Sequence, residues 1–135
     1  MKKTFVKLLA MMLVVVFATL TLASCGAAPS SNPEKAEAAL ENKGYNVEVY
    51  DDAFTLGIYA AMLGADDIDC VVMGNDKDDK NESVIIFYFG DKEDADAAWD
   101  AVEELAEENE NEDIIIKKSG KMIWMGTKKA IKAAK

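Results

Sequence analysis

The sequence predicts a single small α+β domain, an antiparallel or mixed sheet of about five strands with three or four helices. Three observations predict it. Tyr45–Tyr50 alternates apolar and polar residues with the two-residue period of a half-buried strand. Ala95, Ala98, Trp99, Val102, Leu105 and Ala106 recur at the i, i+3, i+4, i+7 spacing of an amphipathic helix. Ser119-Gly120 divides two strand-like stretches as the turn of a hairpin does. At 135 residues one domain is the ceiling, and with half the residues apolar the chain is folded despite a formal charge of -10.

Taken in order, 33–43 is a helix, with Asn32 as its N-cap, Pro33 at the first helical position and Gly44 as its stop. Tyr45–Tyr50 follows as a strand. Asp51 or Asp52 then caps Ala53–Leu63, closed by Gly64. This segment is apolar nearly all round; it is read as a helix in which Phe54, Ile58 and Met62 share a face, although Thr55, Ile58 and Tyr59 would also suit a strand. Stretches 68–74 and Ser83–Phe89 are strands joined by the polar loop 75–82. Every residue from 84 to 89 is apolar, which predicts a central strand covered on both faces. After Gly90, Asp91 caps the long helix, whose first turn carries Glu93 and Asp94, where the helix dipole favours acids. The hairpin of 113–118 and 121–125 and a short helix to Ala134 complete the domain. Strand 83–89, the long helix and the final hairpin together are similar to a ferredoxin-like half.

The first 25 residues read as an address. A basic start (Lys2, Lys3, Lys7) precedes an apolar run from residue 8 to 22, too short at ~1.5 Å per residue for a bilayer core of about 30 Å, so it is an export signal. It ends in Leu22-Ala23-Ser24-Cys25, which resembles the lipobox of bacterial lipoproteins at every position. The resemblance implies cleavage between Ser24 and Cys25, a diacylglyceryl group on the Cys25 thiol, and attachment to the outer side of the cytoplasmic membrane. The expected organisation is a signal peptide over 1–24, the lipidated Cys25 and a flexible tether over 25–32, and the α+β domain over 33–135. Stretches 87–99 (Phe-Tyr-Phe-Gly-Asp-Lys-Glu-Asp-Ala-Asp-Ala-Ala-Trp) and 119–132 (Ser-Gly-Lys-Met-Ile-Trp-Met-Gly-Thr-Lys-Lys-Ala-Ile-Lys) also resemble small uncharacterised lipoproteins of single-membrane bacteria, which implies a shared fold and carries no activity.

Charge narrows the function classes. Removal of residues 1–24 takes three of the 15 lysines and no acid, leaving 12 against 25 acids and a formal charge of -13. Such a chain repels phosphates, which argues against nucleic acid as partner. The sequence has no His, which excludes Ser-His-Asp and Cys-His hydrolysis and His-ligated zinc catalysis. With Cys25 acylated, Cys70 is the one remaining thiol; it sits in the apolar run Ile68-Asp69-Cys70-Val71 beside an acid that raises a thiol pKa, so it reads as a small core side chain. Charge is also unevenly placed: positions 91–113 hold 12 acids and one Lys, and 117–135 hold seven Lys and no acid, which predicts an electrically two-faced molecule.

Site candidates are therefore sparse. Asp76, Asp78, Asp79 and Glu82 superficially suit a hard cation, but Lys77 and Lys80 interrupt them and strands flank them, unlike a calcium loop. Glu103, Glu104, Glu107 and Glu108 crowd the end of the long helix, where like charges and the dipole are both unfavourable. With Lys128, Lys129 and Lys132 they form the expected interaction surface. Tyr88, Trp99 and Trp124 read as core by their spacing, with an aromatic ligand floor as the alternative. No cofactor is implied. The expectation is a membrane-anchored, non-enzymatic binding module whose partner is an envelope protein or a small ligand. The alternative is a small envelope hydrolase using a carboxylate pair.

Overall fold

The computed structural model describes residues 28–109 and 113–135. The expected export signal, Ser24 and Cys25, and Glu110 and Glu112 of the acidic run, lie outside these residues.

Local sequence chemistry sets each element. Helix α1 (Pro33–Asn42) is capped by Asn32, whose side-chain oxygen accepts from the Glu34 amide at 2.9 Å. Strand β1 (Tyr45–Tyr50) leads to α2 (Ala53–Leu63), where Asp52 accepts from the Thr55 amide at 2.9 Å and Gly64 ends the helix at φ +71°. The helical reading of this apolar segment is the correct one. Strands β2 (Ile68–Asp76) and β3 (Ser83–Phe89) follow, then α3 (Lys92–Glu108), β4 (Ile114–Ser119), β5 (Met122–Thr127) and α4 (Lys128–Ala133). Strand β2 runs two residues past the expected end at 74, because Asn75 and Asp76 pair with Asn46 and Tyr45 of β1. Strand β5 likewise runs to Thr127 and includes Gly126. A Cβ at position 126 would lie 2.5 Å from the Ser83 carbonyl oxygen and 2.7 Å from Val84 Cα, so only glycine lets β5 approach β3 this closely.

The five strands form one sheet in the order β1-β2-β3-β5-β4, antiparallel at every pairing. Strands β3 and β4 consequently run parallel with β5 between them and α3 as the crossover. That split β-α-β unit is the ferredoxin-like feature. The other half differs, since α2 joins the adjacent antiparallel strands β1 and β2.

Helices cover both faces. On the back face α1 and α4 pack through Leu40 and Ile131 on Val72, Ile86, Tyr88 and Trp124. On the front face α2 and α3 pack through Leu63 and Val102 on Val71, Phe87, Phe89 and Ile123. Side chains of β3 alternate between the two cores, so an uninterrupted apolar strand is what this position requires.

The segment expected to be a flexible tether is fixed before it reaches the first helix. Pro29 is buried; the Ser30 amide donates to the Ala134 carbonyl at 2.9 Å, and the Ser30 carbonyl accepts from the Tyr88 hydroxyl at 2.8 Å. Pro29 and Ser30 therefore belong to the folded domain, because Tyr88 and the end of α4 supply partners for backbone that the composition alone leaves unpaired.

Candidate functional site

The most distinctive surface lies on the front face. Met73, Ile85 and Met125 are register partners across β2, β3 and β5, and they form an apolar floor. Tyr59, Met62 and Leu63 of α2 stand on one side and Leu105 of α3 on the other, enclosing a groove of about 260 Å³. The Tyr59 hydroxyl points to the Met73 sulfur at 4.0 Å. Asp94, in the first turn of α3, accepts from the Asp66 amide at 3.1 Å and ties that helix to the chain leaving α2.

Helix α2 is apolar on both sides for two reasons. Leu56, Ala60 and Leu63 face the core, while Phe54 (80% exposed), Ile58 (49%) and Met62 (60%) line up at i, i+4 and i+8 on the solvent side. Leu105 adds 37% exposure across the groove. A continuous apolar stripe running into a groove is what a protein keeps open for contact, since single exposed apolar residues do not line up this way. Sequence reasoning placed Phe54, Ile58 and Met62 on one face without seeing that this face is open. It missed Met73, Ile85 and Met125, which only the strand register assembles.

The acidic and basic candidates stand on two faces, in keeping with the uneven charge along the chain. Glu103, Glu104, Glu107 and Glu108 lie on α3 in front of the sheet, whereas Lys128, Lys129 and Lys132 lie on α4 behind it. The sheet separates the two sets, so they make two surfaces and not one. Helix α3 carries eight acids and Lys92; α1 and α4, with the flanking Lys43 and Lys135, carry six lysines against Glu34, Glu37 and Glu41. Polarity along the chain has become polarity across the sheet. Lys118 of β4 reaches back to α3, pairing with Asp96 at 2.6 Å and lying 5.5 Å from the centre of the Trp99 ring.

The loop after β2 spends its carboxylates on its own backbone and on α4. Asp76 accepts from the Asp78 amide at 2.9 Å and stands 3.8 Å from the Lys129 ammonium, Asp79 accepts from the Asn81 amide, and the Thr127 hydroxyl donates to Glu82. Among the described residues no group of three or more His, Cys, Asp or Glu side chains is placed to hold a metal ion. A second acidic region, an open cleft of about 590 Å³, lies where Asp66 and Asp67 meet Asp91, Glu93 and Asp94. Asp91 there caps α3 through the Asp94 amide at 2.8 Å. Among the described residues, the carboxylates whose titration is displaced, Asp52 and Asp96, both move down, Asp52 through the Thr55 amide and Asp96 through Lys118. Both hold the ionised form, opposite to what a general acid needs.

Cys70 is buried on the back face, and burial, then Asp51, Glu37 and Asp69, push its thiol pKa up. That environment favours the protonated thiol. Tyr88 and Trp124 are buried in the same core, and Trp99 is half-buried on α3.

The chain matches no protein-family model, no curated protein and no solved structure. Among the described residues no helix is long and apolar enough to cross a membrane.

Proposed function

We propose that the protein is a non-enzymatic interaction module, lipid-anchored through Cys25 on the outer side of the cytoplasmic membrane, and that its front groove binds an apolar segment of an envelope protein. The observation that carries this reading is the exposed stripe Phe54–Ile58–Met62 leading into the groove floored by Met73, Ile85 and Met125. Groove size favours the side chains of a protein segment over a small molecule, because ligand pockets usually span roughly 300–1,000 Å³. Methionines line it on three elements, and their flexible thioethers adapt to an incoming apolar surface. Glu48 pairs with Met73 across the strands, and α3, which supplies Leu105 to the groove, carries eight acids, so a partner segment with basic residues beside its apolar ones suits this face.

Site-specific photocrosslinking of the full-length protein in intact cells tests the proposal. A crosslinker at Phe54 or Met62 captures one recurrent envelope protein through a segment with apolar and basic residues, and Ile58→Asp abolishes the capture. Capture that is indifferent to Ile58→Asp, or no recurrent product from either position, overturns it.

A further inference from the structure

The chain enters the domain on the back face. Pro29 is buried and Ser30 is held by Ala134 and Tyr88, both on that face. Between Cys25 and Pro29 there are four peptide links, which span at most about 14 Å at roughly 3.5 Å each. A lipid on Cys25 is therefore leashed within that distance of Pro29, the neighbour of the Ser30 that bonds to the end of α4.

Helix α4 presents lysines at that place. Ala130, Ile131, Ala133 and Ala134 are buried against the sheet, and Lys128, Lys129, Lys132 and Lys135 are left exposed. Glu34, Glu37 and Glu41 of α1 share this face with Lys35 and Lys43, and Lys129 lies 3.8 Å from Asp76. Glu82 also reaches the start of α4 through Thr127, so acids share the face; α4 itself, with Lys135 beyond it, carries four lysines and no acid.

We infer that the back face docks on the membrane, with Lys128, Lys132 and Lys135 against anionic phospholipid headgroups and the front groove turned away from the bilayer. Two independent features converge on it: the short leash ends next to the Ser30 that bonds to the end of α4, and α4 is where positive charge collects. The opposite orientation would press the eight acids of α3 against the same negative surface. Each lysine at the headgroups changes partition by roughly fivefold. Docking presents the groove to the space beyond the membrane, where a partner reaches it. The inference rests on Cys25 as the lipid anchor, and its test separates the two.

The test uses the lipidated full chain in vesicles of phosphatidylcholine alone or with phosphatidylglycerol, with an environment-sensitive label at Lys132→Cys or at Glu104→Cys. On anionic vesicles the label at 132 becomes at least about fivefold less accessible to an aqueous quencher than on phosphatidylcholine, and the label at 104 does not change. Salt near 1 M, where screening shortens to about 3 Å, removes the protection. Equal accessibility of the two labels on anionic vesicles overturns the inference. The anchor itself fails if the wild-type chain fractionates from cells as Cys25→Ala does. In that case the lysine face is scored on the unanchored chain: salt-sensitive sedimentation with anionic vesicles, lost in Lys128→Glu/Lys129→Glu/Lys132→Glu, upholds it, and no sedimentation overturns it.

Discussion

The hydroxyl of Tyr88, a buried residue next to the end of β3, donates to the carbonyl oxygen of Ser30 at 2.8 Å, joining residues 58 positions apart. With the Ser30 amide bond to the Ala134 carbonyl, it ties the chain ahead of α1 to the back face.

Tyr88→Phe removes the bond with little change of shape. The expected loss is about 1 kcal/mol in urea unfolding, together with faster amide hydrogen exchange at Ser30 and Asn32. Equal exchange in the two proteins would show that the bond does not hold the segment.

Alkaline pH separates the same pair. Burial raises the Tyr88 pKa above its ordinary value of 10.0, and Cys70 and Tyr45 are raised as well. When the unfolded tyrosine loses its proton and the folded one keeps it, the unfolded state binds fewer protons and stability falls as pH rises. Stability is thus fully present below pH 10 as far as Tyr88 is concerned, and declines above it. Tyr88→Phe reduces the mean slope of that decline by about 0.7 kcal/mol per pH unit, measured by urea unfolding between pH 9 and 11.

Two glycines respond in opposite ways to alanine. Gly126→Ala forces a methyl into the backbone of Ser83 and Val84 and costs roughly 1–3 kcal/mol. Gly57 lies within α2 with no atom near its absent Cβ, and Gly57→Ala stabilises by about 0.5–1 kcal/mol through helix propensity. Urea midpoints of the two variants, one below and one above wild type, check both statements.

Exposed and buried apolar residues also part company. Phe54→Ser changes stability by no more than about 0.5 kcal/mol and removes partner capture, whereas Leu40→Ala, fully buried under α1, costs about 2–5 kcal/mol. A large stability loss in Phe54→Ser would mean that the stripe serves the fold.

Lys118 holds Asp96 ionised to lower pH. The Asp96 titration followed by NMR sits below the ordinary carboxylate value of 3.8 and moves up in Lys118→Met. Because its folded pKa is the lower one, its contribution is present above the unfolded pKa and disappears as pH falls through the folded one.

Much of this molecule follows from local rules. The capping residues Asn32, Asp52 and Asp91 act on amides two or three positions away, and the alternation of β1 and the stripe of α3 need only the period of their own segment, so sequence reading placed every element. Ends were less legible where a neighbour decided them: Asp76 joins β2 because Tyr45 lies opposite, and Thr127 joins β5 because Ile114 does. The paired face of α2 was visible from spacing, but which of its two apolar faces stays open depends on where the sheet lies.

By itself, then, the sequence determined the α+β class, the caps, the double covering of β3 and the polarity of charge along the chain, all consequences of spacing and side-chain type. Tertiary structure alone decided that this polarity runs across the sheet, that Met73, Ile85 and Met125 meet beneath Tyr59 and Leu105, and that Ser30 is tied to Tyr88. Each depends on strand register and order, which join residues tens of positions apart and leave no periodic trace in the chain.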